Sequence, residues 1–118
     1  MDPPILVFEG GDLSVFASAE AAQARLEWLG VEDDVYQAFD SRGRSLWLGV
    51  VETERRLRGF PVVEKSVSIE AAEQRPSHQA DLRARLIHYL GLFDLDPGYL
   101  ATAALVDLVR LAAERHGL

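Results

Sequence analysis

The 118-residue chain has no cysteine, one lysine, one methionine and three histidines. The absence of cysteine excludes a disulfide framework, a thiol nucleophile, a haem-attachment motif and every cysteine-based zinc or iron–sulfur site. The only amine nucleophile on a side chain is Lys65, in a segment expected to be a partly exposed strand. No stretch approaches the roughly 18 uncharged apolar residues of a membrane-crossing helix. The opening Met1-Asp2-Pro3-Pro4 lacks the basic region and apolar core of a signal peptide, so the expected compartment is the cytoplasm. Bases are also scarce: 12 Lys and Arg stand against 19 Asp and Glu, for a net charge of -7. That balance argues against a nucleic-acid partner, which calls for a basic surface with interleaved stacking aromatics. What is present is ordinary for a folded domain, 48% hydrophobic and 26% charged residues, in a length that fits one core.

The acids are unevenly placed. Residues 1–40 hold nine acids and one base, net -8, whereas residues 41–118 hold ten acids and eleven bases, net +1. Ile5 through Phe8 is too short for a helix and apolar throughout, so it reads as a strand buried on both faces. Gly10-Gly11-Asp12 turns it into a hairpin with Leu13 through Phe16. Ser18 is placed to cap a helix from Ala19 to Leu29, with Ala22, Leu26 and Leu29 as its apolar stripe and Gly30 as its stop. A second hairpin is expected from Val35–Phe39 and Ser45–Val51, closed by Asp40-Ser41-Arg42-Gly43 with Gly43 left-handed. Arg55-Arg56-Leu57-Arg58-Gly59 reads as a basic connection to a half-exposed strand, Phe60–Glu70. A helix capped by Ser77 should run through Leu92 on Leu82, Leu86, Tyr89 and Leu90. Asp96 and Pro97 should open a last helix reaching Arg115, with Leu100, Ala104, Leu108, Leu111 and Ala112 inward. The fold class is α+β, a single domain of about five mainly antiparallel strands and three helices in the order β-β-α-β-β-β-α-α.

A search for chemistry finds little. His78, His88 and His116 have sufficient structural explanations beside a cap, on a helix flank and at a helix C-terminus, and no two have the one-turn spacing of a helical metal site. Glu32-Asp33-Asp34 fails the calcium-loop pattern, because alternate positions from Asp33 fall on Val35 and Gln37 and the twelfth is Arg44. Gly10-Gly11 has neither phosphate-loop spacing. Glu52 and Glu54 form only a weak carboxylate pair. No catalytic residue, metal or cofactor is therefore expected. Trp47 points away from Leu46 and Leu48, and is core if both sheet faces are covered or an exposed anchor if one is open.

The segments ILVFEGGDLSVFAS, LEWLGVEDDVYQAFDSRGRSL and SHQADLRARLIHYL, together with the Ala/Glu-rich helix, resemble small acidic bacterial immunity proteins of polymorphic or contact-dependent toxin systems. The resemblance spans residues 4–92 and carries no diagnostic catalytic or ligand motif. It implies a noncatalytic inhibitor that occludes the active site of a cognate toxin domain, possibly a nuclease. A regulatory or accessory interaction domain is the alternative, and a small hydrolase or transferase the third reading. The expected partner is a protein with a basic surface, with no nucleic acid and no membrane involved. The expected contact residues are Glu32, Asp33 and Asp34 at the rim, Asp12 and Asp40 as neighbours, and Tyr36 and Trp47 nearer the centre.

Overall fold

Strand β1 (Ile5–Glu9) buries Ile5, Leu6, Val7 and Phe8 alike, because helices cover it from both sides. The computed structural model describes residues 1–118. β1 pairs antiparallel with β2 (Asp12–Phe16) and with β3 (Tyr36–Phe39). β3 pairs with β4 (Ser45–Leu57), which pairs along its length with β5 (Phe60–Ala71). The five-stranded sheet has the order β2-β1-β3-β4-β5. On one face, Leu6, Phe8, Val15 and Phe39 pack against Leu82, Leu86 and Leu90 of α3 (Gln79–Leu90), Leu100 of α4 (Pro97–Thr102) and Leu108 and Ala112 of α5 (Leu105–Arg115). On the other, Ile5, Val7, Phe16, Ala38, Leu46, Val67 and Ile69 meet Ala22 of α1 (Ala19–Arg25) and Trp28 and Val31 of α2 (Trp28–Glu32). The result is an α+β domain, and no helix is long and apolar enough to cross a membrane.

The helices depart from the sequence expectation in their breaks. Ser18 caps α1 as expected, its hydroxyl accepting from the Ala21 N–H at 3.1 Å. The helix stops at Leu26, which is extended with ψ 138°, rather than at Gly30. The break lets Leu26 and Trp28 both reach the core, while Leu29 is left exposed. Gly30 lies inside α2, where a Cβ would come within 2.6 Å of the Tyr36 ring. The C-terminal helix is likewise two: Ala103 and Ala104 are extended, and Ala103 is buried while Ala104 is exposed. Arg83 of α3 explains that break, since its guanidinium donates to the carbonyl oxygens of Ala101, at 2.9 Å, and Ala103. Ser77 does not cap α3, because its hydroxyl is bonded to Glu73. A 3₁₀ turn (Gly91–Phe93) follows α3 and leaves Leu92 exposed.

The largest correction concerns residues 55–59. They are not a connection: β4 runs on to Leu57 and β5 begins at Phe60, joined by the two-residue turn Arg58-Gly59 with φ of +53° and +82°. Two successive positive φ values define a type I′ turn, whose twist matches that of the strands it joins. Every residue from 51 to 61 is exposed, so the distal halves of β4 and β5 form a two-stranded arm standing clear of the body. The arm accounts for the elongated 61 × 29 × 23 Å extents.

Candidate functional site

Strand register decides which acids meet. Glu9 of β1 is opposite both Asp12 of β2 and Tyr36 of β3, so these three residues lie in one row across the end of the sheet. The α2–β3 loop brings Asp33 and Asp34 to the same end, and both are exposed. Because β4 is antiparallel to β3, with Leu46 opposite Ala38, its later residues pass Tyr36 and continue outward. The arm therefore leaves the body at its acidic end, and the two make an open notch.

At the notch, β3 and β4 stay paired only at Ala38–Leu46 and Phe39–Ser45. Where they separate, a hollow of about 180 Å³ is lined by Val31, Asp34, Tyr36, Trp47 and Leu48 among others. Trp47 is 56% exposed, and its ring lies on the backbone of Gly49, where a Cβ would be 2.6 Å from it. The second of the two alternatives for Trp47 is thus the observed one. α3 to α5 cover β1 to β3 and leave this face of β4 open.

Of the expected contact residues, Asp34, Tyr36 and Trp47 share this hollow, and Asp33 and Asp12 lie at the same end of the molecule. Glu32 is partly committed elsewhere: it is 3.3 Å from Lys65, which also approaches Glu52 at 3.6 Å and sits 4.3 Å over the Trp28 ring. This cluster fastens α2 to the root of the arm. Asp40 is not a surface neighbour. It is fully buried at the opposite end of β3, accepting from the backbone N–H groups of Asp2, Arg42 and Arg44 and from the Arg44 guanidinium at 3.2 Å. A buried carboxylate needs such partners, and the turn that Asp40 opens supplies them together with the N-terminal segment at Asp2.

Glu73, Ser77 and His78 form a trio with the residue types of a hydrolytic triad, a grouping that sequence spacing alone did not single out. Its geometry is that of a clamp: the Ser77 hydroxyl bonds Glu73 directly, and His78 meets both through Nδ1, at 2.7 Å to Glu73 and 3.2 Å to Ser77. A relay would need the serine on Nε2. The Ser77 hydroxyl, the Ser45 N–H and His78 together hold the Glu73 carboxyl down at about 2. The largest hollow, about 580 Å³, lies at the far end between Pro3, Pro4 and α5. Its two guanidiniums are engaged, Arg42 with Asp2 at 3.0 Å and Arg110 with Asp107 at 3.1 Å. His116 ties α5 to β2, its ring nitrogens each 2.8 Å from a carbonyl oxygen, of Ala112 and Leu13.

The fold and this notch describe a small acidic α+β domain with a protruding β arm. No protein family, curated protein or solved structure matches the chain.

Proposed function

We propose that this chain is a noncatalytic binding protein of the immunity type, which neutralises a toxin domain by covering the toxin's active site in the cytoplasm. The observation that carries the reading is the notch: Glu9, Asp12, Asp33 and Asp34 gathered at one end of the sheet, with Tyr36 and Trp47 between them and the arm. Acids placed together steer a basic partner and raise its association rate, and a half-exposed tryptophan held on a glycine is a pre-formed anchor. A nuclease fits the chemistry, because its basic active-site cleft accepts carboxylates where nucleic-acid phosphate would lie.

The test uses the gene encoded immediately upstream. Its C-terminal domain, expressed alone, should arrest growth, and co-expression of this chain should restore it. The two purified proteins should form a stoichiometric complex that weakens on Trp47→Ala. An upstream product that leaves growth unaffected, or that arrests growth which this chain does not restore, overturns the reading.

A further inference from the structure

The tip of the arm differs in charge and polarity from the rest of the molecule. Residues 55–63 hold three arginines and no acid, a local charge of +3 in a chain whose total is -7. Arg55 is paired with Glu64, but Arg56 reaches only the Gly59 carbonyl, at 3.5 Å, and no carboxylate pairs with Arg58. Beside them β5 presents Phe60, Pro61, Val62 and Val63 in succession. Phe60, at 71%, is the most exposed large apolar residue of the chain, and Leu57 opposite it is 59% exposed. Charge and apolar surface are thus sorted by strand at the tip, arginines on β4 and the turn, apolar side chains chiefly on β5. β5 is also the last strand of the sheet, so its outer edge has no partner. The Ala72 N–H donates to the Ser45 carbonyl oxygen at 3.2 Å, and the alternation of the antiparallel ladder from that pair directs the backbone nitrogen of Pro61 outward. Proline has no N–H, so this stretch of edge has one donor fewer to leave unsatisfied in an apolar medium.

We propose that the tip of the arm docks on a membrane surface rich in anionic lipid, with the β5 edge immersed and Arg56 and Arg58 held among the headgroup phosphates. From Phe60 to Val63 is three residue steps, roughly 10 Å at about 3.3 Å per step, which matches the depth of about 5–10 Å that interfacial segments reach. The arginines stand on the companion strand and turn, about 4.8 Å from that edge, on the side of the headgroups. This is a peripheral contact by the end of a hairpin, and no helix of the chain is long and apolar enough to cross a membrane. The expectation that no membrane is involved follows from the whole chain's charge and its lack of a long apolar run, and neither describes the tip. The acids of the notch sit at the arm's root, and from Trp47 to Leu57 the arm runs ten steps, roughly 33 Å at about 3.3 Å per step. Salt screens charge over about 10 Å at 0.1 M, so their repulsion of an anionic surface is largely lost at that distance. Contact at the tip also leaves the notch, Trp47 included, open to a protein partner. Nucleic acid is the other polyanion that meets arginines. A duplex is held through several phosphates, whereas the tip offers two guanidiniums without a carboxylate, and Leu57, Phe60 and Val63 gain nothing from a phosphate backbone. At the boundary of headgroup and acyl chain each of them leaves water.

The test uses the purified full chain and lipid vesicles with no toxin present, so its outcome is separate from that of the co-expression experiment. The chain should co-sediment with vesicles of phosphatidylglycerol and phosphatidylcholine, less so as salt rises, and not with vesicles of phosphatidylcholine alone. Leu57→Ser with Phe60→Ser, and separately Arg56→Gln with Arg58→Asn, should each weaken that binding about tenfold or more without altering the far-ultraviolet dichroism. Asparagine keeps the φ of +53° at residue 58 accessible. Since the natural chain has no cysteine, Phe60→Cys and Asp12→Cys each accept a single environment-sensitive fluorophore. The label at position 60 should brighten and shift to the blue on the anionic vesicles, and the label at position 12 should not respond. No binding to the anionic vesicles, binding that survives both double substitutions, equal responses at positions 12 and 60, or a DNA duplex bound more tightly than the vesicles through the same arginines would overturn the proposal.

Discussion

Gly43 is the point where one backbone position serves two elements. Its φ of +87° closes the β3–β4 hairpin as the Asp-to-Gly turn predicts, and a Cβ there would also lie 2.7 Å from the Cα of Gln79 at the start of α3. Gly43→Val should therefore cost on the order of 1 kcal/mol or more in left-handed strain, with the first turn of α3 displaced as well. Chemical denaturation checks this, and a wild-type midpoint would remove the steric account. Glu73 binds the end of β5 to the same helix through Ser45, Ser77 and His78. Its carboxyl is lowered from 4.5 to about 2, first by the Ser77 hydroxyl and then by the Ser45 N–H. A lowered folded value means that the contribution is complete above pH 4.5 and fades as pH falls toward 2. Glu73→Gln should accordingly be less stable than wild type at pH 7, and the difference should narrow between pH 4.5 and 2. A difference that stays constant across that window would show that the charge on Glu73 does not matter.

At the scale of elements, what local chemistry specifies was legible and what distant contacts impose was not. Ser18, Asp96 with Pro97, and the Asp40–Gly43 turn each act within four residues, and the structure has all three where the sequence puts them. The breaks at Leu26 and Ala103 lie in runs of good helix formers, where propensity gives no warning. The second is held by Arg83, 20 residues away along the chain. Arg83→Met removes both hydrogen bonds to the end of α4 and should lower stability by about 1 kcal/mol. Amide exchange in residues 97–102 should accelerate more than in α3, and uniform acceleration would contradict a local cap. The arm was missed for a different reason. A strand exposed on both faces has no burial period, so Thr53-Glu54-Arg55-Arg56 shows no alternation to read. The one usable signal was Arg58-Gly59, two residues between β-branched and aromatic runs, which is hairpin spacing. Of the candidate site, Asp34, Tyr36 and Trp47 were found together because the loop and its flanking strands are close in sequence. Asp40 is not at the notch because three backbone N–H groups and the Arg44 guanidinium satisfy its carboxylate, which lets a charged residue be buried, and no local sequence pattern shows the contributions of Asp2 and Arg44.

For the whole molecule, the consequence of the fold is that charge separated along the chain becomes charge separated in space. Of the nine acids in residues 1–40, Asp40 is buried, Asp2 is spent on Arg42 and Arg44, Glu32 faces Lys65, and Glu20 and Glu27 lie exposed on and just after α1. The acids left free at the notch are Glu9, Asp12, Asp33 and Asp34, at the root of the arm, whereas Arg56 and Arg58 lie at its far tip. A field from a compact group acts on the rate of encounter with a basic partner and is screened by salt over about 10 Å at 0.1 M. Asp12→Asn, Asp33→Asn and Asp34→Asn combined should slow association with the proposed toxin partner and flatten its salt dependence, with dissociation changed less. Asparagine keeps the left-handed φ of +55° at Asp34 accessible, so thermal stability should stay close to wild type. Glu32→Gln is the contrasting variant: it loosens α2 from the arm root and should affect stability more than association. Stopped-flow rates at several salt concentrations separate the two. If the triple variant keeps both the wild-type rate and the wild-type salt slope, the acids serve to solvate the loops and partner recognition lies on another face.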